Sequence, residues 1–578
     1  TICEKANGGL IMKLKARVGI SLLALLTLIG CRQTNESSSS NSSIKPNTGS
    51  GSSITTSSYD AFADWKQGEN YFKDAEQPDV KRPQGIKNDF GKMRRNEGKS
   101  GLPQQGQANV LVVPVQFKDA DSSHSQTKDS LFTHSDSFDD DMLVNIEDSF
   151  FGEDGFNDMN SVQEFYKKSS YEKLDINGVV APIYEIQSTY YDFAQKASTI
   201  GAEKVITDVM EDVYKLYFTG DTATYDPHDF DSDRDNLIDN IILIYSEPYR
   251  TEKVYSYSTT SSKVLWTSLF GNNTYFNNSF KDRNIPVGSF TWESYYDSYV
   301  YNTKEQYGIG TAHDNHIYIN QIGKALGLED YYDSSSKRSP LSGLDMMDGA
   351  LFDHNPFSKY LMGWINPTVV NSTQEVKLNS FQEDGSSILL RADSNDNPYG
   401  EYLLISYYTT DGLNDLDANV NRNNVLSGNY PLELLRSTST YSNNFNEAGI
   451  EVFKIDARLV KQTDNGYALN SDSLNFDKNI YDFAYSNNST APYSQYGIIE
   501  NYGLVELLSK NGMNRHMTST DVQLSSSDLF LEGDSFGSDD QIEGFYRDFK
   551  FDSGDELNMA FTVSSLDTDF ATINFVRR

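Results

Sequence analysis

Apolar positions change rhythm along this chain. Val110-Leu111-Val112-Val113-Pro114-Val115 is a continuous run, typical of a strand buried on both faces, and Ile241 to Tyr245 (IILIY) is a second. Between them, Ser161-Val162-Gln163-Glu164 is a capping box that opens a helix reading SVQEFYKKSSYEK. Ala202 to Phe218 sets Val205, Ile206, Val209, Met210, Val213, Leu216 and Tyr217 at helical spacing, with Gly220 just beyond. Strands and helices alternate from residue 110 to about 365, which predicts an α/β or α+β domain.

Past Pro367 the texture shortens. Runs at Glu375–Leu378, Ile388–Leu390, Glu401–Tyr408, Ile450–Ile455, Leu504–Leu508, Met559–Val563 and Ala571–Val576 are separated by loops rich in Asn, Asp, Ser and Gly. This pattern predicts an all-β, sandwich-like region.

The first hundred residues read differently. Met12 to Arg17 is basic, and Val18 to Ile29 is an apolar stretch of 12 residues. At ~1.5 Å per residue that stretch is too short for a ~30 Å hydrocarbon core, so it reads as a signal peptide. It ends in Leu28-Ile29-Gly30-Cys31, which looks like a bacterial lipobox with Cys31 as the lipidated residue. The expectation is a chain tethered by lipid on Cys31 to the extracytoplasmic face of the cell membrane. Arg32 to Ser58 is rich in Ser, Asn, Thr and Gly and reads as a flexible spacer. Residues 59–105 are polar, with few periodic signals. The only other cysteine, Cys3, precedes Met12, so the anchored chain has no internal disulfide.

Charge narrows the function classes. The 578 residues carry 48 Lys and Arg against 83 Asp and Glu, net −35. Nucleic acid is therefore disfavoured as a partner, since its binding needs clustered cations.

The chemistry concentrates between Thr311 and Asp333 (TAHDNHIYINQIGKALGLEDYYD). His316 to Leu326 is a helix candidate, capped by Asp314 or Asn315 and stopped by Gly327. Asn320 and Lys324 are four residues apart, so their side chains leave one face. A zinc peptidase places two histidines at such positions, a glutamate base between them, and a third ligand after the glycine.

With these residues in view, the segment resembles the secreted bacterial metallopeptidases of the immune inhibitor A type, which are metzincin-like and read HExxHxxGxxD. Asn320 to Asp330 occupy that frame. Ser342-Gly343-Leu344-Asp345-Met346-Met347-Asp348 resembles the Met turn beneath the metal, carried on Met346 and Met347. His354-Asn355-Pro356-Phe357-Ser358-Lys359, Gly363-Trp364-Ile365, Val110–Phe117 and Ser161–Leu174 also fit. The resemblance spans roughly residues 105 to 578. It implies an α+β metzincin-like peptidase domain followed by the all-β region. The expected division is a signal segment over 1–30, a linker over 31–58, an N-terminal extension over 59–105, a peptidase-like domain over 106–370 and a β-rich region over 371–578.

The departures fall on the catalytic positions. Asn320 replaces the first histidine, Gln321 the glutamate base and Lys324 the second histidine, leaving Asp330 as the remnant ligand position. Asn is a poor zinc ligand beside imidazole. Gln cannot act as a base. Lys324 puts a cation where a dication belongs, at a cost of several kcal/mol at ~4 Å and an effective dielectric of ~20. Zinc is disfavoured, and Lys324 paired with Asp330 is expected in its place. A displaced site built from His316, Asp330 and His354 is the alternative that keeps a metal.

A second metal motif lies at Asp231, Asp233, Asp235, the Leu237 carbonyl and Asp239, the spacing of an EF-hand-like calcium loop. Position 12 is Ile242, so the bidentate glutamate is missing. The loop reads either as a calcium site or as a hydrated acidic turn. Three functions follow: an inactive peptidase-like lipoprotein binding a protein or glycan, an active zinc peptidase with non-standard ligands, or an adhesin-like module acting through the C-terminal region.

Overall fold

The computed structural model describes residues 101–120, 137–152, 160–220, 223–246, 268–271, 279–280, 283–295, 315–331, 340–341, 344–348, 353–392, 398–415, 418, 445, 447–463, 466–470, 481–483, 503–510, 524–525, 528–537 and 549–578. The signal peptide, Cys31, the linker, His313 and Asp314 lie outside the described residues.

The first half is laid around β1 (Gly106–Phe117), the strand expected from the Val110 run. β2 (Leu174–Val180), β3 (Tyr184–Ile186) and β4 (Ile241–Tyr245) all pair with it in parallel. Beyond β4 come β5 (Ser268–Gly271) and β6 (Ser289–Ser294). β6 runs parallel to β4, and β5 closes that edge antiparallel to β6. The order is β2-β1-β4-β6-β5. β1 and β4 are central and covered on both faces, which is why their sequences are unbroken apolar runs.

Helices cover both faces. On one lie α1 (Asp140–Phe151) and α2 (Val162–Ser169). On the other lie α3 (Tyr190–Ile200) and α4 (Ala202–Phe218). Val110 and Val112 of β1 join the first core with α1 and α2, while Leu111, Val113 and Val115 join the second with α3 and α4. Leu216 departs from the helical pattern by staying 49% exposed at the outer side of α4. The capping box forms, with Ser161 Oγ accepting from Glu164 N at 3.2 Å. α2 stops short of the predicted Lys173, because Tyr171 and Glu172 take left-handed φ values of 54° and 61° and turn the chain into β2.

The end of the expected N-terminal extension belongs to this core. Leu102 and Gln104 are buried. Leu102 N donates to Ala325 O at 3.0 Å, and Gln104 Nε2 donates to Leu326 O at 2.8 Å. Trp364 Nε1 donates to Gln104 O at 2.7 Å. Two glutamines carry no apolar periodicity, so the segment reads as surface until its hydrogen bonds are seen.

The helix holding the motif is α5 (His316–Ala325), one residue shorter than predicted. α6 (Pro356–Leu361) follows. Next come β7 (Thr368–Val369), β8 (Gln374–Asn379), α7 (Phe381–Asp384), β9 (Ser387–Arg391), β10 (Glu401–Tyr408) and β11 (Gly449–Asp456). β12 (Leu459–Thr463), β13 (Gly466–Asn470) and β14 (Tyr481–Phe483) make a small separate sheet. β15 (Val505–Leu507), β16 (Ser535–Phe536), β17 (Met559–Leu566) and β18 (Phe570–Arg577) complete the chain.

Two sheets of the second half, ordered β15-β11-β10-β9-β7 and β16-β17-β18-β8, face one another as a sandwich. Ile388, Leu403, Ile405 and Val452 of one meet Leu378, Phe561, Val563 and Ile573 of the other in a third core. The outer face of the five-stranded sheet, through Leu389, Tyr402, Leu404, Phe453 and Ile455, joins the first core instead. The chain on either side of residue 370 therefore shares one apolar interior. Among the described residues, no helix is long and apolar enough to cross a membrane.

Candidate functional site

α5 is held from beneath. Tyr318, Ile319, Ile322 and Ala325 are buried, and Tyr318 stacks on Phe150 with centroids 4.9 Å apart. Tyr166 donates its hydroxyl to Ile319 O at 2.6 Å. Asn315 stands at the N-cap but makes no capping bond. Its amide donates to Asn160 O at 3.1 Å instead. After Ala325 the chain reverses through Gly327, whose φ of 107° favours glycine.

That turn brings Asp330 back to the helix. Lys324 Nζ lies 2.9 Å from Asp330 Oδ2, the pair expected where a metal would otherwise neutralise the carboxylate. Asn320 Nδ2 lies 3.5 Å from Asp330 Oδ1 and donates to Met346 O at 3.2 Å. Gln321 Nε2 donates to Asn320 Oδ1 at 3.3 Å. Asn320, Gln321, Lys324 and Asp330 are thus gathered beside the Met346–Met347 turn. The Lys324 side chain is 17% exposed and that of Asp330 49%. A pair this open to water is worth ~1 kcal/mol or less.

The floor is rigidly wired. Asp345 is fully buried and accepts from Met347 N (2.6 Å), Asn355 N (2.6 Å), Asn355 Nδ2 (2.7 Å) and Ser358 Oγ (3.2 Å). Tyr331 N donates to Met347 O at 2.9 Å. Burial, with Asp345 nearby, holds the Tyr331 hydroxyl well above its ordinary range, so it serves as a neutral partner to Ser358 Oγ at 2.8 Å.

The residues do not fit zinc. An ammonium occupies the carboxylate that the metal would need, and an amide N–H points at the same carboxylate. The displaced site is not assembled either. Among the described residues, the groups whose ligand atoms lie within 4.8 Å of one another are Asp231 with Asp233 and Asp239, and Glu401 with Asp456 and Asp552. His354 is a core histidine, 1% exposed, with ring centroids 5.7 Å from Phe165, 5.9 Å from Tyr166 and 5.8 Å from Trp364.

The acidic loop folds as a compact turn. Arg234 and Asn236 have φ values of 62° and 68°, so Asn236 takes the place preferred by glycine. Asn236 N donates to Asp231 Oδ2 at 3.1 Å, and Ser232 N to Asp239 Oδ2 at 2.8 Å. Asp231 is 8% exposed, and its Oδ1 has no hydrogen-bond partner. Burial, reinforced by Asp233 and Asp231, holds the Asp239 carboxyl well above the usual range. Asp235 does not join the cluster. Its Oδ1 accepts from Leu237 N at 2.9 Å. Asp231, Asp233 and Asp239 are an oxygen set that fits a hard cation.

The Glu401 cluster is what sequence reading missed. Arg458 grips Asp456 at 2.8 and 2.7 Å, Lys454 Nζ lies 2.6 Å from Asp552, and Asp552 N and Ser553 N donate to Glu401 at 2.9 and 2.7 Å. Two cations, Arg458 and Lys454, pair with its three carboxylates, so it is an ion-pair network. Its members are up to about 150 residues apart, and only the strand topology joins them.

No protein-family model matches this sequence, and no curated protein matches it at a significant level.

Proposed function

We propose that the protein is a surface lipoprotein with a metzincin-like fold whose metal chemistry has been replaced, so that it acts by binding a protein or glycan. The observation that carries this reading is the Lys324–Asp330 pair at 2.9 Å, which puts a permanent cation on the last remaining ligand position. The parallel sheet with its antiparallel edge strand β5, the α5 helix and the Met346–Met347 turn below it support the fold. The run from Met12 to Cys31 supports lipid anchoring at the extracytoplasmic face of the membrane. Gln321 has no carboxylate to act as a general base.

The test is zinc content by elemental analysis of the purified chain, beside a casein-cleavage assay. The expected result is neither stoichiometric zinc nor cleavage. Bound zinc with chelator-sensitive cleavage overturns the reading.

Calcium in the Asp231–Asp239 loop is part of the proposal, supported by the orphaned, buried Oδ1 of Asp231. Such an ion would brace the entry to β4 and take no part in chemistry. Ser232 Oγ accepts from Asn109 N of β1 at 3.0 Å, and Ser289 Oγ of β6 donates to Asp239 O at 2.7 Å. The loop therefore ties three neighbouring strands at one end.

A further inference from the structure

The five-stranded sheet carries a carboxyl group in its interior. Glu451 lies on β11, between β10 and β15. Its register partner on β10 is Ser406, whose own partner on β9 is Ser387. These three alternate with Leu389, Leu404 and Phe453, so they face the first core and not the sandwich interior. All three are buried, Glu451 to 4% exposure. Ser406 Oγ donates to Glu451 Oε2 at 3.0 Å, while Glu451 Oε1 and Ser387 Oγ have no partner.

The surroundings hold little to stabilise a charge. Tyr402 and Tyr408 of β10 share the face of Glu451, and Arg391 stands at the far end of β9. Lys454 of β11 and Glu506 of β15 alternate to the opposite face. Among the described residues, burial dominates the environment of Glu451, and the Ser406 hydroxyl, which favours the ion, acts against it. Ionised buried carboxylates are normally held by two or three N–H donors or by a cation. One hydroxyl replaces little of the lost hydration, so the fold favours the neutral acid.

We propose that Glu451 is a pH-sensitive switch: as the neutral acid it completes the sheet, and its ionisation loosens β10 and β11 from the core they share with α5. The pair is well placed for that effect, because Tyr402, Leu404, Phe453 and Ile455 lie in one cluster with Ile322, Met346 and Met347. Burial pushes the Glu451 carboxyl up to about 8. Its folded value is above its unfolded one, so its stabilising effect is complete below the unfolded value and is lost as pH rises through about 8.

The experiment follows melting temperature and amide exchange of the full chain from roughly pH 5 to 9.5, a range that begins near the unfolded carboxyl value and ends above the folded one. In the wild type the melting temperature falls as pH rises from the unfolded value toward about 8 and levels off above it, and β10 and β11 lose protection beyond the base-catalysed rise as pH passes about 8. Glu451→Gln keeps the shape of the neutral acid, and the fall attributable to this site disappears. Ser406→Ala removes the hydroxyl that donates to the carboxylate and moves the end of the fall to higher pH. Glu401, which burial and Asp456 push up to about 7, titrates in all three proteins and cancels in the comparison. An infrared band from a buried protonated carboxyl, lost with rising pH and absent in Glu451→Gln, identifies the group. Parallel pH profiles for wild type and Glu451→Gln overturn the proposal. If Glu451→Gln does not fold, the infrared band and the Ser406→Ala shift decide, and an unshifted midpoint overturns it.

Discussion

Gly323 lies so close to Met347 that a Cβ there would stand 2.7 Å from the Met347 sulfur and 3.1 Å from the Tyr166 hydroxyl. α5 seats closely on the Met346–Met347 turn because this residue has no side chain. Gly323→Ala is expected to destabilise the protein by about 1–3 kcal/mol through overpacking, despite the better helix propensity of alanine. Chemical denaturation measures it, and an unchanged midpoint would show that the floor yields.

Asp345 is the hub of that floor. Asp345→Ala leaves Met347 N, Asn355 N and Ser358 Oγ without their common acceptor in a site closed to water. A loss of at least about 3 kcal/mol is expected. Near-ultraviolet circular dichroism should change with it, since Tyr331 and Trp364 lie in the same core. A fully stable variant would mean that water replaces the carboxylate.

Lys324 is a different kind of residue. Its partner Asp330 is half exposed, so Lys324→Met should alter stability by about 1 kcal/mol or less. The combined Asn320→His, Gln321→Glu and Lys324→His variant should then fold and bind zinc, using Asp330 as the third ligand. Isothermal titration with zinc checks this. A loss above about 3 kcal/mol in Lys324→Met would make the lysine a structural strut.

Much of this arrangement was legible in the residues, for reasons that particular positions make plain. The Val110 and Ile241 runs had to be central strands, because nothing polar interrupts them. Positions 320, 324 and 330 had to meet, because helical spacing and a glycine turn leave few alternatives. Glu451 stayed hidden, since a glutamate alternating with Ile450 and Val452 reads as a solvent-facing strand position until a second core is found behind it. Gln104 stayed hidden because its role is to hydrogen-bond a helix end, which leaves no periodic trace. Asp235 is counted as a ligand by its spacing, and its Oδ1 accepts from Leu237 N within the turn.

The acidic loop makes a prediction whose sign depends on calcium. Asp239 is held above its ordinary value by burial and by Asp233 and Asp231. A raised folded value means that, without a cation, its stabilising effect is complete below the unfolded value and is lost as pH rises through the folded one. In chelator the melting temperature should therefore fall from acidic to neutral pH, and Asp239→Asn should flatten that fall. Calcium favours the ionised carboxylates and should reverse the trend, stabilising the chain by about 2.7 kcal/mol at a hundredfold excess over its dissociation constant. The gain should vanish in Asp231→Asn, whose Oδ1 is the orphaned ligand atom, and persist in Asp235→Asn, whose carboxylate is engaged within the turn. Thermal melts of the wild type and the three variants with calcium and with chelator measure this, and an equal calcium response in Asp231→Asn would move the ion out of the loop.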